Sequence, residues 1–486
     1  MTSPHLRVLV GRRRWVVAAA AALILLTAGA GTAQAADNEP LAGARPLAGV
    51  APGAAVSCGW RAAAADLAAA TATATDPRAK AIHDALVKAG LSTSTPATCS
   101  SGTGPGAGTG AGAGAETVAE PGTGAVKGID DGAPGGGRTL TVGAGGAYRD
   151  ISAAVDAAQP GDTVQVSAGT YPGFAVSRDG APGKWLTIAA APGAAVVIGG
   201  GDSSGSGNGL VSLDGRSWVR LVGLTIRGSA GHGIYGDKID HIVVRDCEVA
   251  DSQDGGIVLS NGRDVLVQDA NVHGNNARGT SASNEAISIV GTKTFEIAGS
   301  TVHDNGEEGI DAKYEASDGL IHDNQVWGNR GPNIYLDSAH DLTVTGNQVW
   351  GATEASKSGI GLAVENYSTT RRLANITVSN NVVRDNVGAG IDFWVESSGQ
   401  LSDVTITGNH IGANGRGGIT YNTSDLSGIT VRANTFGDGN TPPATHTGVT
   451  LLDNVTGVIP KVTSALLDRG GSGSGNSQPL LGTDHQ

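Results

Sequence analysis

"STVHDNGEEGIDAKYEASDGLIHDNQVWGNRGPNIYLDSAHDLTVTGNQVWG", residues 300–351, holds one short pattern three times over. A β-rich run ends in valine, and a turn of small polar residues follows: "STVHDN", "NQVWGN", "NQVWGA". Outward from this stretch the pattern continues as "CEVADS" and "ANVHGN" before it, and as "NVVRDN", "NHIGAN" and "NTFGDG" after it. Its apolar positions are Val249, Val272, Val302, Val326, Val349, Val383, Ile411 and Phe436, separated by 23, 30, 24, 23, 34, 28 and 25 residues. A period in the mid-twenties with variable excess is the signature of stacked coils whose loops vary while their strands keep register.

Each unit also carries a Gly-Ile element, as in "GHGIYG", "EGIDAK", "SGIGLA" and "GAGIDFW". A further β-like run such as "DVLVQD", "DLTVTG" or "NITVSN" sits between the two. Three short strands per repeat, with no helix between them, predict an all-β right-handed parallel β-helix over residues 138–465. Asn275, Asn305, Asn329, Asn386 and Asn414 each fall three places after the apolar position. Stacked in successive coils, their amides would bond up and down the solenoid. At the start, "AYRDISAAVDAAQPGDTVQVSAGTY" reads as an amphipathic helix, a turn and a strand, fit to cap an open solenoid end.

The rest of the 486-residue chain differs in composition. Residues 1–35 read as a secretory signal: a basic region ending in "GRRRW", the apolar run "VVAAAAALILL", and "AQA" before the cleavage point. Arg12 and Arg13 fit a general or a twin-arginine export route. Residues 36–99 read as a small helical segment closed by a Cys58–Cys99 disulfide, as export permits. Residues 100–137, rich in Gly, Ala and Thr, read as a flexible linker, and 466–486 as a disordered tail. Cys247, in "IVVRDCEV", reads as a small buried hydrophobe. The formal net charge of −13 is a poor match for nucleic acid or an anionic membrane. The expectation is a secreted, extracellular monomer, clear of the membrane once the signal is removed.

The opening "DISAAVDAAQPGDTVQVSAGTY", with coils carrying "N-x-V-x-x-N", resembles the pectate-lyase-like β-helix superfamily. Within that likeness, "NGEEGID" is similar to the calcium-binding "DDxxD" element of the family-nine pectate lyases, with glutamates in the first two places. The resemblance implies a polysaccharide substrate and a calcium ion held by Glu307, Glu308 and Asp311, with Glu285 from the preceding coil. It does not supply the base, because family nine places a catalytic lysine on the next coil, where this chain has Tyr335.

Period-two alternation reaches part of the same patch independently. If Ile310 points inward, Asp311 and Lys313 point outward on one face and Ala312 inward. Aligned coils then place Glu285 level with Glu308, Tyr335 level with Asp311, and Asp337 level with Lys313. Parallel strands lie about 4.8 Å apart, so level residues are neighbours. Stacked like charges repel, and a fold gathers carboxylates on adjacent rungs for a cation or for catalysis. The expected catalytic residues are Lys313, Tyr335 and Asp337, with Arg330, Glu365, Asp392, Trp394 and Tyr421 lining the substrate. Lys313 is expected to be exposed, so that its loss would barely affect stability. The leading expectation is a calcium-dependent polysaccharide lyase acting by β-elimination on a uronate glycan. A glycoside hydrolase using paired carboxylates, a uronate C5-epimerase and a non-enzymatic carbohydrate-binding β-helix are the alternatives.

Overall fold

The computed structural model describes residues 136–199 and 208–462. The expected signal, the helical segment with Cys58 and Cys99, the linker up to residue 135 and the tail lie outside the described residues. Within them the chain winds through three parallel sheets of fourteen, ten and twelve strands. One coil takes one strand from each: Ile310–Lys313 in the ten-stranded sheet, Ser317–His322 in the fourteen-stranded sheet and Gln325–Trp327 in the twelve-stranded sheet. Each pairs with the strand one coil on, so Ile310 meets Ile334, Leu320 meets Thr343 and Val326 meets Val349. The described residues form a right-handed parallel β-helix.

Inward positions alternate with outward ones and stack into one apolar column that includes Ile287, Ile310, Ile334, Ile360 and Ile391. Phe295, Phe393 and Phe436 are among its largest fully buried side chains. The helix Ile151–Ala157 closes the first end. Asp150 caps it by accepting from the Ala153 amide, and Ile151, Ala154 and Val155 face the core.

The recurrent Asp-Asn and Gly-Asn pairs build the corners. The first residue turns the chain with positive φ, as at Asp304 (53°), Asp323 (54°) and Gly346 (68°). Asp, Asn and Gly tolerate that conformation best. The second residue then buries its amide in a ladder. Asn305 Nδ2 donates to Asn329 Oδ1 (2.8 Å), and Asn386 Nδ2 to Asn414 Oδ1 (2.8 Å). One rung departs from the sequence expectation. The coil between Asn329 and Asn386 has Ala352 at the ladder place, and Asn333 fills the gap instead. Asn333 Oδ1 accepts from Asn329 Nδ2 (2.9 Å), and Asn333 Nδ2 donates to Asn386 Oδ1 (3.2 Å).

A second ladder runs along the neighbouring corner through Asn324, Asn347, Asn381, Asn409, Asn434 and Asn454. It is the leading asparagine of the same N-x-V-x-x-N motif. Cys247 stands at the corresponding position of an earlier coil, fully buried, as the sequence implied.

Asn347 shows what a rung contributes. Its Nδ2 donates to Ile321 O (2.9 Å) and Asn381 Oδ1 (2.9 Å), while its Oδ1 accepts from Asn324 N and Nδ2 (both 3.0 Å). Removing it strands several buried backbone and amide groups, at about 1–3 kcal/mol each. Asn347→Ala should therefore lower stability in urea unfolding by roughly 3 kcal/mol or more. A loss near that of an ordinary surface substitution would mean the ladder is ornamental.

Candidate functional site

The ten-stranded sheet carries two outward rows, two residues apart along each strand. The first runs Ser288, Asp311, Tyr335, Gly361, Asp392, Thr420; the second runs Val290, Lys313, Asp337, Ala363, Trp394. Tyr335 does stand level with Asp311, and Asp337 with Lys313. These rows floor a groove of about 590 Å³, walled by residues that include Glu285, Glu307, Glu308, Arg330, Lys357, Glu365, Tyr367 and Glu396. A smaller recess of about 170 Å³ adjoins it, lined by Pro332, Tyr335, Lys357, Gly361, Asp392 and Trp394.

Glycine makes room in two places. A Cβ on Gly361 would lie 2.5 Å from the Tyr335 ring, so only glycine lets that ring lie over its strand. A Cβ on Gly331 would lie 2.8 Å from the Glu308 carboxylate, so glycine there lets Glu308 sit at 8% exposure.

Part of the walls comes from the coils that exceed the mid-twenties period. The 30-residue step supplies Thr280 and Ala282, the 34-residue step Lys357, Glu365 and Tyr367, and the 28-residue step Glu396. Lys357, Tyr367, Tyr314 and Glu396 are groove residues that sequence reasoning passed over. The long steps were the available signal. Tyr314 also turns with φ 51°, a conformation costly for a bulky residue, at a corner where neighbouring coils have Asn261, Gly291 and Ser338. Its ring lies 5.4 Å from Lys313 Nζ.

Lys313 differs from its sequence expectation. It is 8% exposed, held against Glu285 and Asp311 beside the Tyr314 ring. Its Nζ donates to Glu285 Oε2 (2.5 Å) and pairs with Asp311 Oδ2 (2.8 Å). Burial alone would lower its pKa, but the charges of Asp311 and Glu285 outweigh that and hold it well above the usual value. It stands in this arrangement as a fixed cation.

The other acids are also engaged. Arg330 Nη1 meets both Glu307 oxygens (3.1 and 3.2 Å), and its Nη2 reaches Glu354 Oε2 (3.4 Å). Lys357 Nζ lies 3.8 Å from Glu308 Oε1. Burial, reinforced by Glu285, pushes Glu308 up to about 7. Burial likewise raises Asp337 to about 6 and Asp392 above its ordinary value. Asp337 Oδ1 accepts from Ser338 Oγ (2.8 Å) and Glu365 N (2.9 Å), while its buried Oδ2 has no hydrogen-bond partner among the described residues. Asp311 Oδ1 is in the same position. Tyr335 Oη donates to Glu365 Oε1 (2.8 Å), and burial keeps the phenol well above its usual pKa. Asp392 accepts from Thr420 Oγ1 (2.5 Å).

Tyr421 stands apart. It pairs with Phe393, an inward residue, and packs against the core with its hydroxyl buried.

The fit of calcium can be tested on these atoms. Calcium ligands at 2.3–2.6 Å must come within about 5 Å of one another. Among the described residues, the one trio of acid or imidazole ligand atoms within 4.8 Å of each other is Asp240, His241 and Asp264, on the fourteen-stranded sheet. Glu285, Glu307, Glu308 and Asp311 supply no such trio, and each faces a cation of the protein itself. As arranged, they do not fit a calcium ion.

A family model described as right handed beta helix region matches residues 232–402. No curated protein matches the chain. Solved structures with a similar trace include a polygalacturonase from Erwinia carotovora ssp. carotovora (14% identity, 71% of this chain and 98% of that one, TM-score 0.45). Others are the periplasmic alginate epimerase AlgG (14%, 61% and 69%, TM-score 0.42) and pectate lyase Pel9A (13%, 64% and 72%, TM-score 0.33). At this identity they bear on no residue of the groove.

Gly331→Ala tests the packing of the site. The added methyl must displace the Glu308 carboxylate, so stability should fall by about 1–3 kcal/mol, the usual cost of overpacking. Any activity assigned to the groove should fall with it. A variant indistinguishable from wild type in thermal unfolding would show that Glu308 is not held where described.

Proposed function

We propose that the groove hydrolyses a glycosidic bond in a neutral or weakly charged polysaccharide, with Asp337 as proton donor and Glu365 as the partner carboxylate. Asp337 carries the reading. It is a carboxyl whose pKa burial raises to about 6, fixed through one oxygen and with its other, buried oxygen unpartnered among the described residues. A general acid needs a raised pKa and a free direction in which to give its proton. Glu365 lies beside it, steadied by the Tyr335 hydroxyl. Two carboxylates are the machinery glycoside hydrolysis requires.

The walls suit a chain of sugars. Trp394 lies toward one end, and Tyr314 with Tyr367, which is 76% exposed, toward the other. Aromatic faces of this kind stack on sugar rings. Even with Asp337 and Glu308 drawn toward neutrality, the acids outnumber the three cations in the groove, which disfavours a polyanion.

A second reading has one specific support. Glu285, Glu307, Glu308 and Asp311 do converge from adjacent coils, in the spacing that resembles family nine. A calcium-dependent lyase would use those acids, and Lys313 would have to leave its ion pairs first. The epimerase alternative shares its proton-abstraction step, and a binding module would retain glycans without altering them.

A polysaccharide panel separates these. Hydrolysis releases reducing ends with no ultraviolet absorbance from unsaturated ends, and chelator leaves it unchanged. Absorbance that rises with calcium would replace hydrolase by lyase. Bound but unaltered glycan would remove catalysis altogether.

Within the hydrolase reading, Asp337→Asn should lower kcat by ~10²–10⁴. Tyr335→Phe, which removes only the bond to Glu365, should cost less. The pH dependence has a definite sign. Asp337 must be protonated to act, so kcat/KM should fall as pH rises through about 6. A raised folded pKa also means stability present below the unfolded carboxylate pKa and lost as pH rises through about 6. Asp337→Asn should flatten that slope in thermal melts; an unchanged slope would assign it to another group.

A further inference from the structure

We infer that the Lys313 ammonium is the resident cation of the Glu285–Asp311 carboxylate pair, and that the groove is for this reason independent of divalent metal ions. The inference rests on the groove's geometry alone and holds whichever bond the groove cleaves.

Lys313 Nζ lies 2.5 Å from Glu285 Oε2 and 2.8 Å from Asp311 Oδ2. Those are charge-assisted hydrogen bonds, and they join carboxylates from two successive coils. A calcium ion shared by the same two oxygens would lie about 2.3–2.6 Å from each. Its place and that of Nζ are the same place. Occupation by one excludes the other.

The β-helix makes the ammonium the better-placed occupant. Lys313 is two residues after Asp311, so strand alternation puts both on one face. Ser288 pairs with Asp311, which brings Glu285 alongside through its bond with the Ser288 hydroxyl (2.6 Å). No loop has to move to assemble the pair. The remaining acids are answered in the same way, Glu307 by Arg330 and Glu308 by Lys357. Protein cations therefore cover the positions from which the sequence resemblance draws its metal ligands.

The corollary is reciprocal. Without the ammonium, two buried carboxylates are left facing each other, and a divalent ion becomes the natural replacement.

The test uses the full chain with calcium and terbium alone as probes. Thermal unfolding is followed in chelator and in millimolar calcium. Terbium emission is followed as well, sensitised by Tyr314 at the groove. Wild type should show no calcium-dependent shift in melting temperature and no saturable emission that Glu285→Gln removes. Lys313→Ala should melt lower than wild type in chelator and recover by several degrees in calcium. It should also bind terbium saturably, with an affinity on the order of the 10⁻⁴ to 10⁻³ M of extracellular calcium modules or tighter. Lys313→Met keeps the buried stem and serves if the alanine variant does not fold.

Glu285→Gln in the lysine-free background should abolish the new emission. This separates the groove from the Asp240, His241 and Asp264 trio. Calcium stabilisation or saturable terbium binding in wild type that Glu285→Gln removes overturns the inference. So does a lysine-free variant that neither loses stability nor responds to calcium, and so does emission gained over wild type on removing Lys313 that survives Glu285→Gln.

Discussion

Register between successive coils is the constraint on which everything else depends. In a parallel strand, a slip of one residue turns every side chain to the opposite face. Here such a slip would put Asp311 and Lys313 into the apolar column and Ala312 into the groove. Two things prevent it. Isoleucine stacks on isoleucine in the interior, and asparagine bonds to asparagine at two corners. The ladders matter more than their size suggests. A buried amide stranded without its partner costs more than a made bond contributes, so a shifted register is penalised at every rung.

Given that register, the groove's chemistry follows from neighbours rather than from sequence proximity. Lys313 is answered by Glu285 across 28 residues of chain, and Tyr335 by Glu365 across 30. A solenoid converts separations near its period into contact distances. It can therefore place several acids together without an intervening helix or a folded lid, and it can place the balancing cations there too. Burial then raises Asp337 and Glu308 toward neutrality. Repulsion among the acids is relieved by Lys313, Arg330 and Lys357 and by protonation, and both responses leave the groove less negative than its residue list suggests.

Much of this was legible in the sequence, for a physical reason. Period-two alternation and a near-constant coil length are geometric, so the strand order, the buried apolar column and the levels of Asp311, Tyr335, Lys313 and Asp337 could all be counted out. The second asparagine ladder was equally countable, since Asn324 and Asn347 open the very motif that reveals the repeat. What counting could not supply was the third dimension. Wall residues such as Tyr367 and Lys357 sit in the variable excess, where no period applies. Nor could counting show Glu285 and Asp311 closing on Lys313, which turns it from an exposed residue into a buried one and reverses the expected effect of its loss on stability. Asn333 could not be anticipated either, because it enters the ladder from another part of the coil to replace Ala352. Tyr421 has an outward-looking sequence context, yet its pairing with Phe393 turns it to the core.

The most direct measurement is a crystal structure of the Asp337→Asn chain with a bound oligosaccharide. The sugar should lie in the groove between Trp394 and the Tyr314–Tyr367 wall, with a glycosidic oxygen within about 3.2 Å of the residue-337 side chain. The Lys313 ammonium should remain between Glu285 and Asp311. An oligosaccharide bound on another face, or one whose linkages lie beyond reach of residue 337, would contradict it.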